Sequence, residues 1–149
     1  MVYSTWIWLR NGNYAVHNAV YCGRDAAYRV LCTLLRDDNI AVRVAACDAL
    51  LKLVDDVSFF AAGFDNYVVN AIEGFFALFA ASREVDTKLR VLNVVAIVME
   101  GVGERVQQAV PGIVQVVPSL WAEAQEQHLL KGAVLVTVTR LVQALGQQV

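Results

Sequence analysis

The chain has 149 residues, 58% of them hydrophobic and 17% charged, a composition that can bury one core and that excludes disorder. Its net charge of −2, with no run of basic residues, leaves nucleic acid no electrostatic footprint. Apolar runs such as 94–99 and 133–136 fall far short of the roughly 18–20 residues a membrane span needs, and Asn93, Glu100, Arg105, Gln107, Gln115 and Arg140 interrupt the stretches around them.

Residues 1–23 carry little pattern. The apolar stretch 3–9 is too short for a secretory signal and lacks a basic start, and Asn11-Gly12-Asn13 breaks whatever Trp6, Trp8 and Leu9 begin. From residue 24 onwards the apolar residues recur at helical spacing. Ala27, Val30, Leu31, Leu34 and Leu35 mark a first helix. After Asp37-Asp38-Asn39, a second runs through Val42, Ala45, Ala46, Ala49, Leu50, Leu53 and Val54, which is the i, i+3, i+4, i+7 template of one buried helix face.

Val68, Ala71, Ile72, Phe75 and Phe79 predict a third helix, and Ser82-Arg83-Glu84 a short link. The next segment, 88–101, is apolar nearly all round, broken only by Arg90, Asn93 and Glu100. A helix with no broad polar face is covered on two sides. Gly101 and Gly103 end it, as glycines after helices do. Val106, Val110, Ile113, Val114, Val117 and Trp121 predict a fifth helix, kinked by Pro111 and Pro118 or starting at Pro111. The sixth runs Leu130, Ala133, Val134, Thr137, Val138, Leu141, Val142 and Leu145, and Gly146 ends it. The many valines favour strands by propensity, but the length of the segments and the absence of hairpin turn signals decide for helix.

The six helices read as three pairs with a repeat. Arg43, Arg90 and Lys131 stand 47 and then 41 residues apart, and Asp37, Glu84 and Gln125, six residues before each, keep the same spacing. An acid or amide in the turn, a base one turn into the second helix and then a small-and-aliphatic face make the HEAT pattern, whose period is about 40–47 residues. The sequence therefore predicts an all-α fold, an α-solenoid of about three HEAT-type hairpins over 24–149, preceded by a weakly patterned 1–23 segment. Such repeats bury their apolar faces only by stacking, so further repeats are expected at both ends.

Chemistry finds little purchase. Cys22, Cys32 and Cys47 are odd in number and form no CxxC pair, which fits buried thiols in a reducing compartment better than a disulfide frame or a zinc site. His17 and His128 have no ligand at metal spacing. No nucleophile elbow or phosphate loop occurs, and Asp37-Asp38 and Asp55-Asp56 pair carboxylates only by adjacency, so no enzyme, metal or cofactor is expected.

The candidate partner-binding residues are Arg43, Arg90, Lys131, Asp55, Asp56 and Trp121. Each has a structural role beside the functional one. The basic ladder is expected to bond turn acids within and between repeats. Asp55-Asp56, with Asp65, suits a solvated loop or a basic partner segment, and Phe59, Phe60 and Phe64 suit packing beneath that loop or a groove for aromatic peptide motifs. Trp121 is large enough to anchor a partner, and core packing against Leu129 or Leu130 is the expected alternative.

Several local strings resemble the middle repeats of importin-β-type nuclear transport receptors. They are Leu34-Leu35-Arg36-Asp37-Asp38 leading to Val42-Arg43, then Leu53-Val54-Asp55-Asp56 before Phe59. Asp86-Thr87-Lys88 leading to Val91-Leu92, Pro118-Ser119-Leu120-Trp121 and Leu141-Val142-Gln143-Ala144-Leu145-Gly146 follow in the same order. The resemblance implies part of a longer receptor, shared between nucleus and cytoplasm, that wraps protein cargo, binds the GTPase Ran and meets the Phe-Gly repeats of nucleoporins. It covers the middle repeats and not the N-terminal ones that carry the family's main Ran surface. The alternatives are a HEAT scaffold for a multiprotein complex and a membrane-associated helical protein.

Overall fold

A computed structural model of the chain describes residues 14–54 and 66–146, and no strand occurs among them. The helices are α1 (Tyr14–Leu34), α2 (Ile40–Val54), α3 (Val68–Ala81), α4 (Val85–Val102), α5 (Val110–Glu123) and α6 (His128–Gly146), with a 3₁₀ segment, Gly103–Ala109, leading into α5. Consecutive helices pair as α1/α2, α3/α4 and α5/α6, and the pairs stack so that α1, α3 and α5 form one layer and α2, α4 and α6 the other. This is the α-solenoid of HEAT type that the period in the forties predicts. The division at residues 23 and 24 falls inside α1.

Local chemistry sets the helix ends. Between α1 and α2 the Asp37 carboxylate accepts the Asn39 N–H at 2.9 Å, and the Asn39 side chain in turn accepts the Ala41 N–H at 2.9 Å, closing the first turn of α2. At the end of α4 the chain turns at Gly103 with φ of +58°, a backbone region that glycine enters without the penalty of a Cβ. Gly101 lies inside α4.

α4 is the keystone. Val91, Leu92, Val94, Val95, Ala96, Val98, Met99 and Val102 are all buried, because α2, α3, α6 and the 3₁₀ segment pack round it. What remains fully open to solvent is the narrow line Asp86, Arg90, Asn93 and Glu100. Phe75, Phe79, Ile72 and Leu78 of α3 fill the layer beneath, each effectively out of water, and each contributes about 1.5–3 kcal/mol on the transfer scale. Close approach is built in at Gly74, where a Cβ would meet the Leu35 side chain at 3.0 Å.

Two helices differ from their expected faces. Along α1 the inward line is Tyr28, Cys32 and Leu35, and Val30 lies on the surface. Around α5 the buried line is Val106, Ala109, Ile113, Leu120 and Ala124, which leaves Val114 and Trp121 exposed. The cause is the 3₁₀ segment: at about three residues per turn instead of 3.6, it advances the phase of the buried face before α5 begins. Pro111 stands in the first turn of α5, where its missing N–H costs nothing, and Pro118 is tolerated within the helix.

The expectation that no segment reaches membrane length is corrected by α6. Among the described residues it is one helix long and apolar enough to cross a membrane by length and composition. Uninterrupted runs understate it, since Lys131 and Arg140 break the runs without lowering the mean much. In the fold, Leu130, Val134, Thr137, Leu141 and Ala144 of α6 are buried, and α6 packs chiefly on α4. The far side of α6 is apolar too: Leu129 is 74% exposed, Val142 62%, and Leu135 and Val136 more than half.

Two outcomes follow from this packing. Ala96→Asp places an unpaired carboxylate in the most enclosed helix and costs about 3–5 kcal/mol, enough to unfold the chain. A thermal melt within a degree of the parent would contradict it. The bare side of α6 makes the isolated chain self-associate with concentration, and Val136→Lys with Val142→Glu relieves this. Sedimentation of the parent as a monomer at high concentration would refute it.

Candidate protein-binding surface

The helix layer α2, α4 and α6 carries a ladder of ion pairs that cross from repeat to repeat. Arg90 on α4 reaches both oxygens of Asp48 on α2 at 3.3 and 3.2 Å, and Arg140 on α6 lies 3.8 Å from Glu100 on α4. Each base therefore pairs with an acid of the preceding repeat. The pairs are half exposed, so they set register more than they add stability.

Of the three bases placed in register by sequence, only Arg90 is a rung of this ladder. The Arg43 guanidinium turns back and donates from Nε to the Asp37 carbonyl oxygen, tying the α1–α2 turn to its own helix. Lys131 stands 6.0 Å above the ring of Trp121, a cation–π distance. The second rung is Arg140. Its signal in the sequence is the distance of 50 residues from Arg90, matched by 52 between their acids Asp48 and Glu100.

Trp121 is 39% exposed and Leu129 is at the surface, whereas Leu130 is buried, so Trp121 is not itself a core residue. With Lys131 it forms an aromatic-and-cationic edge at the α5–α6 turn. Asp55 and Asp56, with Phe59, Phe60, Phe64 and Asp65, lie outside the described residues. The side chain of His17 does too, and among the described residues no three His, Cys, Asp or Glu gather as metal ligands.

The other layer presents a groove that sequence reading missed. It runs between α3 and the 3₁₀–α5 strand of chain, with a volume of about 630 Å³. Ala77 and Ala80 of α3, and Ala109 and Gly112 on the opposite side, line it with small side chains. A Cβ placed on Gly112 would meet nothing within 4 Å. Phe76, Ile72 and Val116 give an apolar floor, and Gln108, Gln115, Ser119 and Glu73 the polar rim. Glu73 is itself held by Arg36 of the preceding repeat at 3.0 Å. Such a groove can take apolar side chains of a peptide.

A smaller hollow lies between α1 and α3, beside Arg29, Thr33, Tyr67 and Asn70. Tyr67 donates its hydroxyl to Asp25, which raises the phenol above its usual range. The described thiols are inert. Burial pushes Cys32 up to about 11 and Cys47 up to about 12, the latter helped by neighbouring Asp48, so neither forms thiolate near neutrality.

A double-mutant cycle on Asp48 and Arg90, each changed to Ala, is expected to give a coupling below about 1 kcal/mol that shrinks with added salt. Coupling that stays constant up to molar salt would show the pair to be more shielded than its exposure implies.

Two comparisons set this surface among known proteins. The chain is 35% identical over 123 residues to Importin-11 of mouse and, to the same extent, to Importin-11 of human. The match covers 83% of this chain and 13% of each relative, so the chain corresponds to about an eighth of their length. No protein-family model matches it, and no solved structure does.

Proposed function

Because the chain is an importin-β family segment, we propose that it supplies part of the binding surface of a nuclear transport receptor, engaging cargo and transport factors in nucleocytoplasmic protein import. The observation that carries this reading is the 35% identity to Importin-11 over 123 residues. The fold supports it, since a stack of helical hairpins offers an extended surface to partners. In this reading the receptor's solenoid begins within α1, ahead of the boundary at residue 24, since that helix runs unbroken from Tyr14 to Leu34. The bare side of α6 then receives the next repeat, and a preceding one covers the other end.

The two layers divide the work. The polar ladder of α2, α4 and α6, with the Trp121–Lys131 edge, serves protein cargo and Ran, with Asp55 and Asp56 extending the acidic part. The apolar groove between α3 and α5 serves the Phe-Gly repeats of nucleoporins, whose aromatic side chains match its floor of Phe76 and Ile72 and its walls of alanine and glycine. These partners are taken through the full-length receptor, which passes between nucleus and cytoplasm and catalyses nothing. The second reading is a HEAT scaffold for a multiprotein complex, which the ladder and groove would serve equally.

Ran separates the two. The full-length gene product is expected to retain GTP-loaded Ran and to release the GDP-loaded form in a pull-down. Equal recovery of both would leave the scaffold reading standing and end the transport one.

A further inference from the structure

The junctions between repeats are closed by different pairs of side chains. At the second junction Lys88, near the start of α4, crosses to the Glu123 carboxylate at the end of α5, with its ammonium 5.0 Å from the centre of the Phe79 ring. The repeat spacings of 47 and 41 residues map Lys88 onto Ala41 and Glu123 onto Ser82. At the first junction, therefore, neither the cation nor its acid is present, and a notch of about 540 Å³ lies between the start of α2 and the α3–α4 turn.

The notch has an apolar wall and a polar end. Ile40, Ala41, Val44 and Ala81 line one part, and Ser82, Arg83 and Glu84 the other. Ser82 is 5% exposed, and its hydroxyl makes no hydrogen bond among the described residues; only its backbone N–H is used, donated to the Leu78 carbonyl. A buried hydroxyl left without a partner is costly, and a ligand that supplies one relieves that cost. α4 begins at the same place without a side-chain cap. The turns framing the notch carry Asp37, Asp38, Glu84 and Asp86, against Arg83 and the Arg43 already tied to the Asp37 carbonyl. Arg36 and Lys88 stand nearby too, but Glu73 and Glu123 already engage them, which leaves Arg83 as the cation facing these carboxylates.

We propose that this notch receives a lysine side chain from a partner protein. The butyl stem lies along Ile40, Ala41 and Val44, as amphipathic side chains lie on apolar surface with the charged end in a polar setting. The ammonium reaches the Ser82 hydroxyl and the Glu84 carboxylate, whose present contact is a long one, 3.4 Å from the Thr87 hydroxyl. A partner lysine thus occupies at the first junction the place that Lys88 fills from within at the second. The inference rests on the repeat register and the notch, and it holds whether the partner is a transport cargo or a scaffold client.

The test uses the 149-residue chain, isotope-labelled, and two peptides that differ at one atom group: acetyl-Ser-Gly-Lys-Gly-Ser-amide and its norleucine counterpart. The lysine peptide is expected to shift the backbone resonances of Ala41, Ser82 and Glu84 saturably, and the norleucine peptide to bind at least tenfold more weakly. Ala41→Lys fills the notch from inside and is expected to abolish the shifts with the melting temperature kept or raised. Equal binding of the two peptides would overturn the proposal. So would undiminished binding by a folded Ala41→Lys chain, or a preference for a glutamate peptide through Arg83.

Discussion

An α-helix with apolar side chains on most of its circumference is stable in water only when protein covers it on more than one side, and α4 is such a helix. That requirement fixes the rest. α3 must lie against one flank to form the hairpin, and α2 and α6 must lie on either side in the same layer, since no single neighbour reaches from Val91 and Leu92 round to Met99 and Val102. The order of helices along the chain then admits one arrangement with short links, a stack of pairs. Stacking is the cause of the buried core, and the core in turn holds the stack together.

Polar side chains do a different job in this stack. Asp48–Arg90 and Glu100–Arg140 are too exposed to add much free energy, but each spans two repeats, so sliding one helix along its neighbour by a turn would separate both. The apolar face alone discriminates poorly against such a slip, because valine follows valine along α4 and α6. Repeat-to-repeat ion pairs are therefore where register is written. It follows that the junction lacking one of its pairs, at Ala41 and Ser82, differs from the other in what it can bind more than in how it holds together: Leu35, Gly74 and Phe75 close that interface by shape.

Much of this was legible before any coordinates. The i, i+3, i+4, i+7 lines of α3 and α6 are buried nearly as written, with Val142 the main departure because α6 has protein on one side only among the described residues. The near-absence of a polar face on α4 named the central helix outright. What periodicity could not carry was phase through the 3₁₀ segment, so Val114 and Trp121 were placed on the core side when they lie at the surface. Register by residue type also misled: Lys131 matches Arg90 in sequence, but a lysine beside an exposed tryptophan settles over the ring, and the rung passes to Arg140. The groove left no sequence signal, since alanine and glycine on facing helices are read as good packing until the helices are seen not to close.

That last point bears on how a solenoid acquires function. The described thiols are held protonated, and no ligating cluster forms among the described residues. Surface is created instead by omission. Ala77, Ala80 and Gly112 omit the side chains that would fill one inter-repeat space, and Ala41 with Ser82 omit the ion pair that fills another. Beneath both spaces large residues such as Phe76, Phe79 and Leu35 close the core. A repeat fold can in this way place a binding site at any junction without redesigning the core, and two junctions of one stack can take partners of opposite character, one apolar and one cationic.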